Sequence, residues 1–183
     1  MVELESVLPR LHEWAAEFEQ GPPPLLDRKL VHKHEEQNVF ISRYEAVDED
    51  HPDDFIAQLF IDKTHPFFFE HPLDHVPGLM LVEAGRQLGT AVAHTAYDVP
   101  VGSTVFILNG MEVDFSSFAE LDQPVFVNST VTDKQFKKGA LSQMFYHGNF
   151  VQNDRAIGYM SGRWNIYSKR VMKRLRKNAV ISG

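Results

Sequence analysis

Cysteine is absent from the 183 residues. That excludes disulfides, a thiolate nucleophile and any cysteine-ligated zinc. No apolar run approaches the roughly 20 residues needed to cross a bilayer. The opening MVELESVLPRLHEW is acidic and amphipathic, without the basic-then-apolar layout of a secretory signal. A Gly-rich phosphate loop and a Gly-x-Ser-x-Gly nucleophile elbow are also missing. These absences fit the cytoplasm.

The remaining composition, 43% hydrophobic and 23% charged, is that of an ordinary globular chain long enough for one core. A net charge of -7 hides an asymmetry. Lys169, Arg170, Lys173, Arg174, Arg176 and Lys177 sit in a tail without acids, so residues 1–168 hold 12 basic against 25 acidic side chains. A body at -13 repels nucleic acid, and only the tail attracts a polyanion or an acidic protein. With Val171, Met172 and Leu175 among its cations, the tail reads as a helix packing one apolar edge, or as an electrostatic dock.

Leu4, Val7, Leu8, Leu11, Trp14, Ala15 and Phe18 recur at helical spacing over 4–19, with Pro9 inside and Gly21-Pro22-Pro23-Pro24 as a stiff link. Short extended stretches follow at 28–33, 38–46 and 55–62. On such a strand His32 and His34 face opposite ways. A loop over 64–77 carries three histidines, three prolines and Phe67-Phe68-Phe69, read as core. Residues 78–97 form the longest helical pattern, apolar on nearly every side and therefore buried. Strands are expected at 104–114, 123–133, 140–152 and 155–167. The order predicts an α+β fold, an antiparallel sheet wrapped around one long central helix. The divisions are 1–24 (amphipathic helix and link), 25–168 (main domain) and 169–183 (basic tail).

Chemistry concentrates around that helix. Pro77-Gly78 starts it, so unpaired amides at Gly78 and Leu79 can polarise a carbonyl oxygen. Glu83, Arg86 and Gln87 share one face, continued by Thr90 and His94. Apolar surroundings are expected to raise the Glu83 pKa and suit it to general acid–base work. The competing reading is an i, i+3 ion pair of Glu83 with Arg86. His71, Asp74, His75, His32 and His34 are nominal metal ligands, but the full complement of a metallohydrolase is missing, and no metal is expected.

A loop histidine, then Pro-Gly, then a glutamate five residues after the glycine resembles the signature of hotdog-fold dehydratases and thioesterases. His71 corresponds to the dehydratase histidine, with a shorter reach to Pro77 than in that family. The chain is more closely similar to the A-factor biosynthesis family, the AfsA-like hotdog proteins. The likeness rests on Leu30-Val31-His32-Lys33, Asn38-Val39-Phe40, Asp74-His75, Glu83-Ala84-Gly85-Arg86-Gln87, and Ala93-His94 through Tyr97-Asp98-Val99-Pro100. It implies a hotdog fold and transfer of a β-ketoacyl chain from acyl carrier protein to dihydroxyacetone phosphate, towards γ-butyrolactone signals. Acyl-CoA is the alternative thioester. Glu83, His71 and His75 become the expected catalytic residues. Gly78, Leu79, Arg86, Gln87, Asp74 and His32 become the expected substrate-binding ones, and no cofactor is implied. Members typically carry two hotdog modules in tandem, whereas this chain has room for one, which predicts a homodimer. A non-catalytic acyl or lactone binder, and a hotdog dehydratase or thioesterase, are the rival functions.

Overall fold

The computed structural model describes residues 1–18 and 24–181, with side chains described as far as Lys177. Most of the proline-rich link lies outside the described residues. Helix α1 (Leu4–Phe18) runs through Pro9. A 3-10 turn at Glu36–Asn38 precedes strands β1 (Ile41–Ala46) and β2 (Asp54–Leu59). Next come α2 (Gly78–Ala96), β3 (Thr104–Phe115), β4 (Phe126–Lys137), β5 (Ala140–Gln152), β6 (Arg155–Ser168) and α3 (Lys169–Ile181). The six strands form one antiparallel sheet in the order β1-β2-β4-β5-β6-β3.

Alternation along the strands assigns the two faces of the sheet. Tyr146 and Phe150 of β5 and Met160 and Trp164 of β6 form one buried cluster with Met80, Ala84, Leu88 and Val92 of α2. Residues of opposite parity, Ile56, Phe126 and Val151, meet Val7, Leu11 and Trp14 of α1 on the other face. The central helix is thus covered by the sheet, as the pattern over 78–97 predicts. A Cβ at Gly85 would stand 2.9 Å from the Met160 sulfur, so glycine there permits the close approach of α2 to β6.

Two hairpins hold the long strands in register. Lys138-Gly139 (φ 54° and 79°) and Asn153-Asp154 (φ 52° and 62°) place two consecutive left-handed residues in each turn, the geometry whose twist matches the flanking strands.

One expectation fails. Residues 28–33 are not a strand but a succession of turns. The Asp27 carboxylate accepts the Lys29 amide at 2.9 Å, the Arg28 carbonyl accepts the Lys33 amide at 2.8 Å, and His32 is left-handed at φ 57°. The His32/His34 face argument falls with it. The 38–46 stretch likewise begins with the 3-10 turn and becomes strand only at Ile41.

Candidate functional site

The turn segment 27–40 lies along the polar row of α2, and Glu83, Arg86, Gln87 and His94 each find a partner there as well as on the helix or beyond it. Arg86 Nε–H donates to Glu83 Oε2 and Arg86 Nη2–H to Glu83 Oε1, both at 2.7 Å, a bidentate pair. Lys33 Nζ adds an ion pair to Oε1 at 2.7 Å, and Gln87 Nε2–H donates to the same oxygen at 3.0 Å. Arg86 also donates to the Val31 carbonyl at 3.2 Å. Gln87, fully buried, donates to the Asn38 carbonyl at 2.7 Å and accepts the Phe40 amide at 2.9 Å. Glu83 therefore ties loop to helix, with three donors on Oε1 and one on Oε2.

These partners reverse the expected electrostatics of Glu83. Burial raises its pKa, but hydrogen bonds and charge from Arg86, followed by Lys33 and Gln87, outweigh burial and hold it down to about 2. The burial expected from sequence is real, but Lys33, which pairs with Glu83, and the Val31 and Asn38 carbonyls, which hold Arg86 and Gln87, are not visible in it. Their contacts span about fifty residues, and nothing in local spacing announces them.

Towards the end of the helix the row continues into two histidines. The Val99 carbonyl can only accept, so His94 Nδ1 carries the proton it donates over 2.6 Å. His94 Nε2 stands 2.9 Å from His32 Nε2, so one ring donates to the other there. His32 stays neutral: burial, then the charges of His94, Arg86 and Lys169, lower its pKa to about 4. Phe106 packs edge-on against both rings.

The other expected residues gather at the start of α2, apart from Glu83. His75 Nδ1 and Asp74 Oδ1 are 2.7 Å apart, and the His75 ring lies 5.0 Å from that of Phe118. With Glu120 they line a cavity of about 360 Å³. The Val76 amide donates to the Ala119 carbonyl at 2.8 Å, and a Cβ at Gly78 would stand 3.0 Å from the Phe115 ring, so the helix start abuts the end of β3. Leu79, 68% exposed on the first turn, is an anomaly on an otherwise buried helix. No hydrogen bond or ion pair among the described residues involves His71, which is exposed, and none joins His75 to Glu83. Of the phenylalanine run, Phe68 and Phe69 pack on the core, whereas Phe67 is 72% exposed. His65, not singled out from sequence, is a buried pin: its Nδ1 accepts the Phe67 and Phe68 amides, so Nε2–H donates to Asn38 Oδ1 at 3.0 Å.

Among the described residues no three histidines, aspartates or glutamates converge as a metal site requires, and no helix is long and apolar enough to cross a membrane.

The sequence profile of the A-factor biosynthesis hotdog domain matches residues 14–168. A stretch of 72 residues is 39% identical to a 2-oxo-3-(phosphooxy)propyl 3-oxoalkanoate synthase of Streptomyces virginiae, covering 39% of this chain and 22% of that protein. The synthase of the same name from Streptomyces griseus is 35% identical over 76 residues, covering 42% of the chain and 23% of the relative. Among solved structures, AziG of S. sahachiroi aligns with a TM-score of 0.51 at 13% identity, covering 69% of this chain and 90% of that one. A mutant thioesterase of Pseudomonas aeruginosa gives 0.51 and 13% as well, covering 70% and 81%. These two are likenesses of fold.

Proposed function

The chain belongs to the A-factor biosynthesis hotdog family, and from that premise we propose that it is an enzyme acting on acyl thioesters. The finer reading is transfer of a 3-oxoacyl group from a carrier protein to the hydroxyl of a small phosphorylated acceptor. The name of its relatives describes such a product, the ester of a 3-oxoalkanoate with dihydroxyacetone phosphate. One observation carries the reading: an ionised, partly exposed carboxylate paired with two cations stands on the same buried helix whose first turn carries the exposed Leu79.

At 1.5 Å per residue, Glu83 lies about 7–8 Å along α2 from Gly78. That is too far for both to touch one atom, but it matches a thioester carbonyl at one end and an acceptor hydroxyl at the other. In this scheme the Gly78 and Leu79 amides hold the carbonyl oxygen as it gains charge. Glu83 Oε2, with a single donor, receives the acceptor's hydroxyl hydrogen bond. As the new C–O bond forms and the C–S bond breaks, the proton passes through Glu83 to the departing thiolate. Lys33 and Arg86 suit the acceptor's phosphate, and an anion drawn to them loosens their hold on Glu83 and raises its basicity. His75, fixed by Asp74 beside the helix start, is better placed than His71 to assist the leaving group. A non-catalytic acyl binder is the second reading, favoured by the number of donors already satisfied on Glu83. The test is thiol release from a 3-oxoacyl carrier protein by the purified chain. Transfer predicts release that depends on dihydroxyacetone phosphate; release without it indicates hydrolysis, and no release favours the binder.

The assembly proposed is a homodimer. β3 is an edge strand, and Leu108, Met111 and Phe115 along it are exposed, as are Leu79 and Phe118 beside it. A second copy against this ridge would cover it and complete the site near Gly78. Light scattering is expected to give twice the chain mass at micromolar concentration; a monomer there refutes the dimer.

A further inference from the structure

A cavity of about 460 Å³ lies at the far end of the molecule from the α2 start, walled by the loop after α2, the beginning of β3, the β4–β5 hairpin and the β6–α3 junction. Its size falls within the roughly 300–1,000 Å³ usual for small-molecule sites. Buried Val99, Leu141 and Ile166 contribute to its lining, together with Val171, an exposed apolar residue of a helix otherwise dominated by cations. The Lys169 amide donates to the Ser103 carbonyl at 3.0 Å, fastening the helical wall to the loop.

Among the described residues, the charged ones in its lining are Lys137 and Lys138, and no carboxylate joins them. Over residues 1–168 acids outnumber bases by 13, so a cavity with two lysines and no acid runs against the prevailing charge. The left-handed Lys138-Gly139 turn fixes the hairpin that carries both lysines. The basic start of α3, with Lys169 and Arg170, reinforces the positive potential beside Val171. A concave apolar surface with cations beside it is complementary to one aliphatic chain ending in an anion. A membrane surface would instead need a projecting apolar face.

We propose that this cavity is a second ligand site, separate from the Glu83 row, which takes a single-chain amphiphile with an anionic head, its chain against Val99, Leu141, Ile166 and Val171 and its head at Lys137 and Lys138. The site is wired to the polar row, because the Val99 carbonyl that holds the His94 proton belongs to a residue of the cavity wall. Occupancy therefore reaches His94 and, through it, His32. The proposal does not depend on the thioester chemistry.

The probes are decanoate and, for comparison, uncharged decanol, titrated below micellar concentration into the full chain and followed by calorimetry and by imidazole ¹⁵N resonances. Decanoate is expected to bind saturably, one per chain, and to move the His94 and His32 signals. Decanol and the double variant Lys137→Glu/Lys138→Glu should each bind at least about tenfold more weakly. Leu141→Trp fills the cavity from its floor and should abolish binding. Val171→Trp fills it from the more tolerant helical wall and should do the same in a chain whose folding circular dichroism verifies. Absence of saturable decanoate binding, equal affinity for decanol, or wild-type binding by folded Val171→Trp overturns the proposal.

Discussion

Glu83→Gln lowers turnover of a 3-oxoacyl thioester by about 10²–10⁴-fold, the usual contribution of a positioned acid–base group. Gln keeps the size of the side chain and one oxygen for the Arg86 and Lys33 donors, but it cannot take up the acceptor's proton. The same change strands two cations, so stability falls as well, by about 1–3 kcal/mol at neutral pH. The pH dependence identifies the origin of that loss. The folded pKa of Glu83, about 2, lies below its ordinary 4.5. Its stabilising contribution is therefore complete above about pH 4.5 and disappears as pH falls through about 2. The stability gap between wild type and Glu83→Gln should narrow over that window. If Glu83 served only to hold Arg86 and Lys33, the gap would remain while the rate per folded molecule stayed within about threefold of wild type. Turnover and unfolding measured on the one variant separate the two roles.

Gln87→Leu is expected to destabilise the chain by roughly 2–4 kcal/mol, since each stranded buried backbone group costs about 1–3 kcal/mol. Leu fills a comparable space, so little of the loss comes from a cavity. The Phe40 amide and the Asn38 carbonyl lose their partners inside the protein, and Glu83 loses one of its donors. These contacts join α2 to the 27–40 segment across nearly fifty residues, so the loop over Glu83 should loosen first. Urea unfolding gives the total. Amide exchange should be fastest to change at Phe40, and a loss below about 1 kcal/mol would mean that water replaces both bonds.

What could be read from sequence follows the reach of each interaction. The central helix was legible because an apolar run opened by Pro77-Gly78 has few other uses, and Glu83, Arg86 and Gln87 revealed their common face through three- and four-residue spacing. The strands from 104 to 168 were legible through alternation and their turn residues. The 28–33 segment misled, since Leu30 and Val31 look like strand residues while the Asp27 turn and the left-handed His32 decide the path. The direction of the Glu83 pKa was missed for the same reason of distance. Apolar neighbours in sequence predict a raised value, whereas Lys33, fifty residues earlier, helps Arg86 to lower it. The family motif had already placed Leu30–Lys33 and Asn38–Phe40 beside the helix signature, without saying that the two touch.

The most direct measurement is the identity of the acylated product. The purified chain, incubated with a 3-oxoacyl carrier protein and dihydroxyacetone phosphate, should yield the 3-oxoalkanoate ester of that acceptor by mass spectrometry, in an amount matching the thiol released and strongly diminished with Glu83→Gln. Recovery of intact thioester, or of free 3-oxo acid alone while the acceptor remains unmodified, would contradict acyl transfer.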